Sequence, residues 1–363
     1  MKAWRLRGLS SLKLEEVDKP QPRPGGIVVR VEAAPVLSYM RQVIDGSLGY
    51  AMPPFPFVPG TNGVGIVEAA GVGVYHVKPG DRVALNPHHV VDERVSNPAQ
   101  ILIGLTAMGA ARFSDMPPEP LALQRDWPDG VFAQYASAPA ACATRLAGLD
   151  TVPPERLAAI SKFVVPYGGF LRGEFAPGDV AIVNGASGYF GSAGVLVALA
   201  MGAALVVAAG RDRAVLETVA KAGGSRVRIV ALSGDVAADT QALRTASEGV
   251  ASFALDIVGR AQSAASTAAT LGALRRGGRL VLMGSVTQPL SISVGAMLAN
   301  DWSVIGNFMY PKDAPARLAR MISSGILGLE AIRIQRFPLD QLPAAMDAAA
   351  RMRALDLTVL AMP

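Results

Sequence analysis

The chain has 363 residues, enough for two typical domains of about 100–200 residues. Hydrophobic residues make up 51% of the chain and charged residues 17%, a composition that excludes intrinsic disorder. Its 38 glycines and 26 prolines show no three-residue period, which excludes collagen. The formal charge is +5, but the basic residues form no run of five or six, so the sequence predicts no nucleic-acid partner.

Short apolar runs separated by turn residues occupy the first hundred residues. Such runs predict strands, and Gly25-Gly26, Pro59-Gly60 and Pro79-Gly80-Asp81 mark turns between them. No helical period is sustained before about residue 153, so the chain begins with an all-β, barrel-like unit. The predicted strands are Lys2–Leu6, Leu12–Glu16, Gly26–Ala33, Asn62–Ala69 and Arg82–Ala84.

Strands and helices then alternate, after a segment from His88 to Trp127 that contains the proline-rich stretch 116–120 and predicts a surface loop or lobe. The alternation predicts a parallel sheet covered by helices on both faces. The strands predicted for this sheet are Val180–Asn184, Leu205–Ala209, Val227–Ala231, Phe253–Ile257, Arg279–Met283 and Ser303–Asn307. Two further strands, Ile332–Phe337 and Leu357–Ala361, are predicted beyond about residue 310. The predicted helices are Ser192–Gly202, Ala214–Gly223, Asp235–Glu248, Ala261–Leu274, Ala314–Ser324 and Leu339–Arg353.

Residues 180–210 carry no charged side chain, so by length alone they resemble a membrane span. Six glycines interrupt them, and they divide into a strand, a glycine turn, a helix and a second strand. This pattern favours a buried strand–helix–strand unit and predicts no membrane partner. Residues 1–7 contain no apolar segment and no cleavage site, so we expect no secretion signal and a soluble, cytoplasmic protein.

A glycine-rich turn follows the predicted strand Val180–Asn184. Its spacing is the G-x-G-x-x-G fingerprint, with an alanine in the first glycine position. Small residues are needed there because the backbone must turn tightly and approach a pyrophosphate, which then lies on the N-terminus of the next helix. A tight turn without a ligand is the alternative. The residues assigned to cofactor binding are Ala186, Ser187, Gly188, Tyr189, Phe190 and Gly191.

The end of the second strand of this unit selects the cofactor. NAD-binding units carry Asp or Glu about 20 residues after the glycine turn, where it binds the ribose 2′-hydroxyl. Here that place is taken by Gly210, followed by Arg211. Glycine leaves room for a 2′-phosphate and arginine can pair with it, whereas Asp212 falls too late and is predicted to cap the next helix. The pattern predicts NADP(H), with a solvated Arg211 as the alternative.

Five further motifs accompany the glycine turn: Val58–Gly65, Lys78–Val83, Asp129–Tyr135, Asp256–Gly259 and Gly277–Gly284. Together these motifs resemble the medium-chain dehydrogenase/reductase superfamily over essentially the whole chain. The resemblance implies an α/β protein with a GroES-like β-barrel catalytic domain and a Rossmann domain whose parallel sheet is doubly wound. It places the catalytic domain at 1–155 and 310–363 and the Rossmann domain at 156–309.

Zinc-dependent members of this superfamily carry a Cys, then Gly-His-Glu, then a later Cys or Asp. The first of these positions correspond to Leu37 and to Thr61-Asn62, which are not zinc ligands, and the single Cys142 excludes a four-cysteine structural site. His88-His89 is the one metal-like pair, but adjacent residues rarely converge on one ion. No metal is therefore predicted, and the chain resembles the zinc-free branch, which includes quinone oxidoreductases and enoyl reductases.

Without zinc, something else must polarise the substrate group that accepts the hydride, and positioned hydrogen-bond donors can do so. The resemblance suggests Tyr39, two residues after the lost cysteine, and Tyr50, near the catalytic tyrosine of enoyl reductases. Either could instead be a packed aromatic with a solvated hydroxyl. The resemblance also implies that Lys162 and Tyr167 face the nicotinamide, with phosphate or ribose contact as candidate roles. It assigns Met283, Gly284 and Asn307 to cofactor binding, and Asn307, Phe308 and Tyr310 either line a substrate cleft or pack at a domain junction.

The sequence therefore predicts a zinc-independent, NADP(H)-dependent oxidoreductase. Its expected substrate is a small apolar or weakly polar carbonyl, enone or quinone, with hydride transfer to an activated C=C or a quinone. One alternative is a zinc-free alcohol or aldehyde dehydrogenase, and another is a nucleotide-binding protein without turnover. The oligomeric state stays open, with a homodimer as one option.

Overall fold

The computed structural model describes residues 1–92, 94–96, 98–107, 118–259 and 261–362. Contacts within the chain divide it into two compact units. The first unit comprises Met1–Ser161, Ile332–Met352 and Leu357–Pro363, and the second comprises Lys162–Ala331 and Arg353–Asp356.

Strands and helices are numbered in chain order. The strands are β1 (Lys2–Leu6), β2 (Leu12–Glu16), β3 (Gly26–Pro35), β4 (Gly63–Ala70), β5 (Arg82–Leu85), β6 (His88–Val90), β7 (Gln100–Leu102), β8 (Thr106–Ala107), β9 (Tyr135–Pro139), β10 (Ala143–Arg145), β11 (Val180–Asn184), β12 (Leu205–Gly210), β13 (Val227–Ala231), β14 (Phe253–Asp256), β15 (Arg279–Leu282), β16 (Ser303–Gly306), β17 (Arg333–Pro338) and β18 (Asp356–Ala361). The helices are α1 (Met40–Ile44), α2 (Pro118–Asp126), α3 (Pro154–Leu157), α4 (Ile160–Arg172), α5 (Tyr189–Ala200), α6 (Arg213–Gly223), α7 (Val236–Ala246), α8 (Ala265–Gly272), α9 (Val294–Asn300), α10 (Ala314–Ser323) and α11 (Leu342–Ala350).

The main sheet of the first unit has the strand order β10-β5-β4-β3-β18-β17, and β9 joins it by pairing with β3. β3 is central because its sequence is rich in valine and alanine and nearly all of its residues are buried. Antiparallel pairing of β3 with β4 sets Ala33 opposite Val64. The loop after β3 and the loop before β4 therefore leave the same edge of the sheet.

The second unit is built on a parallel sheet with the order β13-β12-β11-β14-β15-β16. The chain moves outward from β11 to β13 and then returns to place β14 on the other side of β11. Strand order therefore reverses between β11 and β14, and parallel sheets bind ligands at the carboxyl ends of the strands at such a point. Asn184 and Asp256 are the last residues of these two strands and lie opposite each other.

Several elements differ from the sequence prediction. The segment expected to be a loop or lobe contains the small sheet β6-β7-β8 and the helix α2, which begins at Pro118; Met116 and Pro117 lie outside the described residues. Helices α1, α3, α4 and α9 are present although no helix was predicted there. α4 was missed because Pro166, Gly168 and Gly169 disfavour a helix, whereas burial of its apolar side chains stabilises one.

The charge-free residues 180–210 fold into β11, α5 and β12, as their glycines indicated. α5 begins at Tyr189, three residues before the predicted start at Ser192. Within the described ranges, no helix combines the length and the apolar character needed to cross a membrane.

Candidate functional site

The turn after β11 is fixed to the neighbouring strand by its own backbone. Gly185 has a φ of 92°, and the amides of Gly185 and Ala186 donate to the carbonyl of Ala209 at 3.0 and 2.9 Å. The amide of Gly188 then donates back to the carbonyl of Gly185 at 2.8 Å. These bonds hold the turn beside the end of β12 without using a side chain.

The N-terminus of α5 opens directly out of this turn. Gly188 precedes the helix with extended backbone and offers no side-chain cap, so the first amides of α5 keep their capacity to bind an anion. A Cβ on Gly191 would collide with the carbonyl oxygen of Gly185, so only glycine allows the helix to approach the turn this closely. The rings of Tyr189 and Phe190 pack edge to face at 4.9 Å. The turn 185–188 and the first residues of α5 together form a cradle that fits the pyrophosphate of a dinucleotide.

Gly210 ends β12 beside the same turn. A Cβ at this position would lie 2.7 Å from the hydroxyl oxygen of Ser187 and 3.2 Å from its Cβ. An aspartate at position 210 would therefore require Ser187 to move. Arg211 follows with an exposed side chain, and the carboxylate of Asp212 accepts from the amide of Val215 at 3.2 Å, which confirms that Asp212 caps α6.

A buried polar pair lies at the point where the strand order reverses. The side-chain amide of Asn184 donates to Oδ2 of Asp256 at 3.0 Å, and the amide of Val258 donates to Oδ1 at 3.2 Å. The amides of Met283 and Gly284 donate to the backbone carbonyl of Asp256 at 2.8 and 3.1 Å. Asp256 therefore orders the loops after β14 and β15, including two of the residues assigned to the cofactor.

Burial raises the pKa of Asp256, and its hydrogen bonds oppose that increase. In the sequence, Asp256 stands out only as the first residue of a family motif, and no role was predicted for it. A carboxylate that ends a fully apolar strand was the available signal, because such a group is rarely buried without a purpose.

The remaining residues assigned to the cofactor in the second unit pack against α4 and its neighbours. The side-chain amide of Asn307 donates to the carbonyl of Met309 at 2.9 Å and lies 3.6 Å from the sulfur of Met283. That sulfur also packs closely on Gly169, and a Cβ at this position would require the Met283 side chain to shift. The structure therefore brings Asn307 and Met283 together.

Lys162 is fully buried. Its ammonium group donates to the carbonyl of Ala354 at 2.6 Å and lies 3.6 Å from the centre of the Tyr189 ring. The Lys162 side chain therefore packs against Tyr189, the first residue of α5. Tyr167, on the same helix, is also buried.

The candidate catalytic residues belong to the first unit. Tyr39 precedes α1 in the loop after β3, and the loop before β4 carries Thr61 and Asn62, so the topology brings these loops to one edge of the sheet. Tyr39 and Tyr50 are both half-buried and pack against the apolar core of this unit. The hydroxyl of Thr61 is buried and finds no hydrogen-bond partner among the described residues.

Close glycine contacts hold the loop before β4. A Cβ on Gly130 would collide with the carbonyl oxygen of Gly60, whose own φ is 107°. The carboxylate of Asp129 accepts from the amide of Val58 at 2.7 Å. These contacts fix the backbone on which Thr61 stands.

The residues at the zinc-ligand positions do not fit a zinc ion. Leu37 is a buried hydrocarbon, and neither the hydroxyl of Thr61 nor the amide of Asn62 is a thiolate, an imidazole or a carboxylate. His88 uses its Nε2 atom in a 2.8 Å hydrogen bond with Gln100. Within the part of the chain that the structure describes, no three His, Cys, Asp or Glu residues come together as a metal-ligand set.

Comparison with known proteins gives the class. Residues 23–148 match the family described as "Alcohol dehydrogenase GroES-like domain", and residues 190–324 match the family described as "Zinc-binding dehydrogenase". The solved structure of alcohol dehydrogenase TADH from Thermus sp. ATN1 covers 100% of both chains at 23% identity, with a TM-score of 0.79. Together, the two domain matches place the chain in the medium-chain dehydrogenase/reductase superfamily.

Relatives in sequence are named for alcohol substrates. Sorbitol dehydrogenase from Pongo abelii is 27% identical over 339 residues, which is 93% of this chain and 89% of that protein. Sorbitol dehydrogenase from Bacillus subtilis is 24% identical over 370 residues, covering 100% of this chain and 97% of that protein. The predictions of the fold class and of an oxidoreductase are confirmed.

The prediction of enone or quinone reduction is wrong, because these near full-length relatives are polyol dehydrogenases. The error has a physical origin. Loss of zinc ligands indicates that a Lewis acid is missing, but it does not specify which bond exchanges the hydride.

Proposed function

We propose that this protein is an NADP(H)-dependent dehydrogenase that interconverts a small alcohol and its carbonyl compound without zinc. The observation that carries the proposal is the glycine cradle of the second unit, formed by the turn 185–188 and the start of α5. Gly210 lies beside this turn, and the exposed Arg211 follows it. Solved structures that share this fold hold NADP, NADH or NADPH, which supports a nicotinamide cofactor. The cytoplasmic location and the homodimer stay predictions from the sequence.

The second unit supplies the cofactor site. A bound nicotinamide cofactor donates or accepts the hydride. The amides at the start of α5 bind the pyrophosphate, and the turn 185–188 orients it through its bonds to Ala209. Asp256, through its bonds to the loops after β14 and β15, positions Met283 and Gly284 beside the cradle.

The corner at Gly210 selects the phosphorylated cofactor. Gly210 lacks the carboxylate that would repel a 2′-phosphate, and Arg211 is exposed with no ion pair to any described residue. A charge-assisted hydrogen bond contributes roughly 1.5–3 kcal/mol, or about 10- to 150-fold in affinity. NADP(H) should therefore bind more tightly than NAD(H) by about that factor.

The first unit supplies the proton chemistry. Because Leu37, Thr61 and Asn62 do not form a zinc site, a positioned hydroxyl must hydrogen-bond the substrate oxygen. Tyr39 Oη is our first candidate to give or accept this proton, and Tyr50 Oη is the second.

The test is a rate comparison with purified protein. NADP⁺ and NAD⁺ are each supplied with simple alcohols and polyols, and the reverse reaction is followed with the matching carbonyl compounds. We expect oxidation of an alcohol with NADP⁺, and enones and quinones serve as comparison substrates. No turnover of any alcohol or carbonyl compound would contradict the proposed reaction.

Substitution of Arg211 tests the cofactor preference separately. Arg211→Ala should weaken NADPH binding about 10- to 150-fold and leave NADH binding nearly unchanged, because NADH has no 2′-phosphate. Arg320→Ala, which removes an exposed arginine of α10 in the same unit, is the matched control. Unchanged discrimination in Arg211→Ala would contradict the preference for NADP(H), even if turnover is found.

A further inference from the structure

A short segment near the end of the chain lies on the second unit although both of its flanks belong to the first. Residues Arg353–Asp356 are part of the second unit, between Ile332–Met352 and Leu357–Pro363. Ala354 and Leu355 are almost completely buried, with 0% and 1% of their surface exposed. The segment is therefore packed in place, and its position relative to the cofactor cradle is fixed by contacts within this unit.

Two contacts join this segment to opposite ends of the cradle. The buried ammonium of Lys162 donates to the carbonyl of Ala354 at 2.6 Å and also contacts the ring of Tyr189, the first residue of α5. At the other end, Nη1 of Arg353 lies 3.3 Å from Oδ2 of Asp212. The amide of Arg353 is itself held by Oδ2 of Asp356 at 2.9 Å.

Asp212 is a problem for a corner that binds a 2′-phosphate. Its carboxylate stands two residues after Gly210 and next to Arg211, so it would repel the phosphate and could draw Arg211 away from it. One carboxylate oxygen already caps α6 by accepting from Val215. The other oxygen is the one that faces Arg353.

The neighbouring cations are engaged differently. Arg213 pairs with Glu217 one helical turn later, at 3.2 Å. Arg353 pairs with Asp212, and Arg211 has no ion pair with a described residue. The three arginines and two carboxylates leave one net positive charge, which disappears if Arg353 is removed.

We propose that Arg353 is a specificity-determining residue for the phosphorylated cofactor. It neutralises Asp212 and so leaves Arg211 available for the 2′-phosphate. This inference rests on the proposed NADP(H) preference and adds a residue about 140 positions away from the nucleotide motif.

The first test compares Arg353→Ala with Arg351→Ala. Both substitutions remove one exposed arginine from the same stretch of chain, but only Arg353 reaches Asp212. Because exposed ion pairs are weak, Arg353→Ala should raise the Kd of NADPH about two- to five-fold at low salt and leave the Kd of NADH unchanged. The effect should shrink as salt is raised. Arg351→Ala should leave both dissociation constants as in the wild type.

The second test removes the charge of Asp212 and keeps its cap. Asn is as good an N-cap residue as Asp, so Asp212→Asn should preserve α6. In the double variant Asp212→Asn with Arg353→Ala, NADPH affinity should return to the wild-type value, because the charge that Arg353 neutralised is gone. Circular dichroism and the melting temperature of each variant confirm that the comparison is made on folded protein.

Three outcomes would overturn the inference. They are an Arg353→Ala protein with unchanged NADPH affinity, one in which NADPH and NADH weaken equally, and a double variant without recovery. If one of these outcomes is found but Arg211→Ala loses the preference for NADPH, the proposed function stands and only the role of Arg353 is removed. If Arg211→Ala also leaves discrimination unchanged, the cofactor preference itself fails.

Discussion

Tyr39 lies in the loop after β3, two residues beyond Leu37, and its ring packs against the core of the first unit. A half-buried phenol on a packed ring combines a fixed position with a hydroxyl that can exchange a proton. Tyr50 shares these properties, although it stands in a different loop. Burial and packing therefore do not rank the two tyrosines, and kinetics must do so.

Tyr39→Phe should lower kcat by about 10²-fold, the usual loss when a general acid or an oxyanion donor is removed. Binding of NADPH should hardly change, because the proposed cofactor site is built from the second unit. The measurement is kcat and KM for the best alcohol, with NADPH affinity taken from a separate titration. Tyr75→Phe is the matched control, since Tyr75 is in the same unit and 94% exposed.

Tyr50→Phe distinguishes the two candidates. If Tyr39→Phe keeps full activity and Tyr50→Phe loses it, the proton role belongs to Tyr50. If both variants keep full activity, another donor polarises the substrate oxygen. The buried hydroxyl of Thr61, which has no partner within the described part of the chain, would then be the next residue to substitute.

At the scale of elements, the ends of β11 and β14 control the shape of the proposed cofactor site. Asn184 and Asp256 end these strands and bond to each other, and Asp256 also holds the loops that follow β14 and β15. Only 1% of the surface of Asp256 is exposed, and burial raises its pKa. The charged form of this carboxyl therefore works against folding.

The sign of the resulting pH dependence follows from linkage. A group whose folded pKa is raised stabilises the fold below its unfolded pKa, about 3.9 for Asp, and this contribution is lost as pH rises through the folded pKa. The wild type should therefore lose unfolding free energy over that interval. Asp256→Asn should abolish this loss, because its side chain cannot ionise.

Denaturant unfolding at a series of pH values from 4 upward measures this effect. Glu330→Gln, which neutralises an exposed carboxylate of the same unit, should leave the pH dependence of the wild type in place. An Asp256→Asn protein with the wild-type pH dependence would show that another group is responsible.

Sequence reasoning predicted the elements whose signals are local. The turn after β11 was found because Ala186, Gly188 and Gly191 have the spacing of small residues that close backbone approach demands. The structure shows a collision at Gly191 for any larger residue. The same reasoning missed α4, since Pro166 and two glycines give it a poor helical propensity that only tertiary burial overcomes.

Contacts between residues far apart in the chain could not be predicted from the sequence. Asn184 and Asp256 are 72 positions apart, and their bond depends on the reversal of strand order between β11 and β14. Contact of Ser187 with Gly210 depends on the turn folding back on β12. Arg353 meets Asp212 from 141 positions away, and no local pattern indicates that residues 353–356 belong to the second unit.

At the scale of the whole molecule, the family description and the donor atoms disagree about zinc. Residues 190–324 match a family described as zinc-binding dehydrogenases, whereas Leu37, Thr61 and Asn62 supply none of the usual zinc-ligand chemistry. A structural zinc would contribute folding free energy, and a catalytic zinc would polarise the substrate. Both contributions can be measured by removing metal.

Treatment with a chelator should therefore change neither the melting temperature nor kcat. The measurement pairs elemental analysis of the purified protein with activity and thermal unfolding before and after chelation, and a zinc-dependent alcohol dehydrogenase treated in parallel shows that the chelator is effective. About one zinc per chain, lost together with activity and restored by added zinc, would contradict the zinc-free proposal. A lower melting temperature after chelation, with activity unchanged, would indicate a structural metal instead. Unchanged values in both assays would leave polarisation of the substrate to protein hydroxyls. The carbonyl oxygen becomes negative as hydride adds to the carbonyl carbon, so it needs a donor, and the metal would have been shown to supply none.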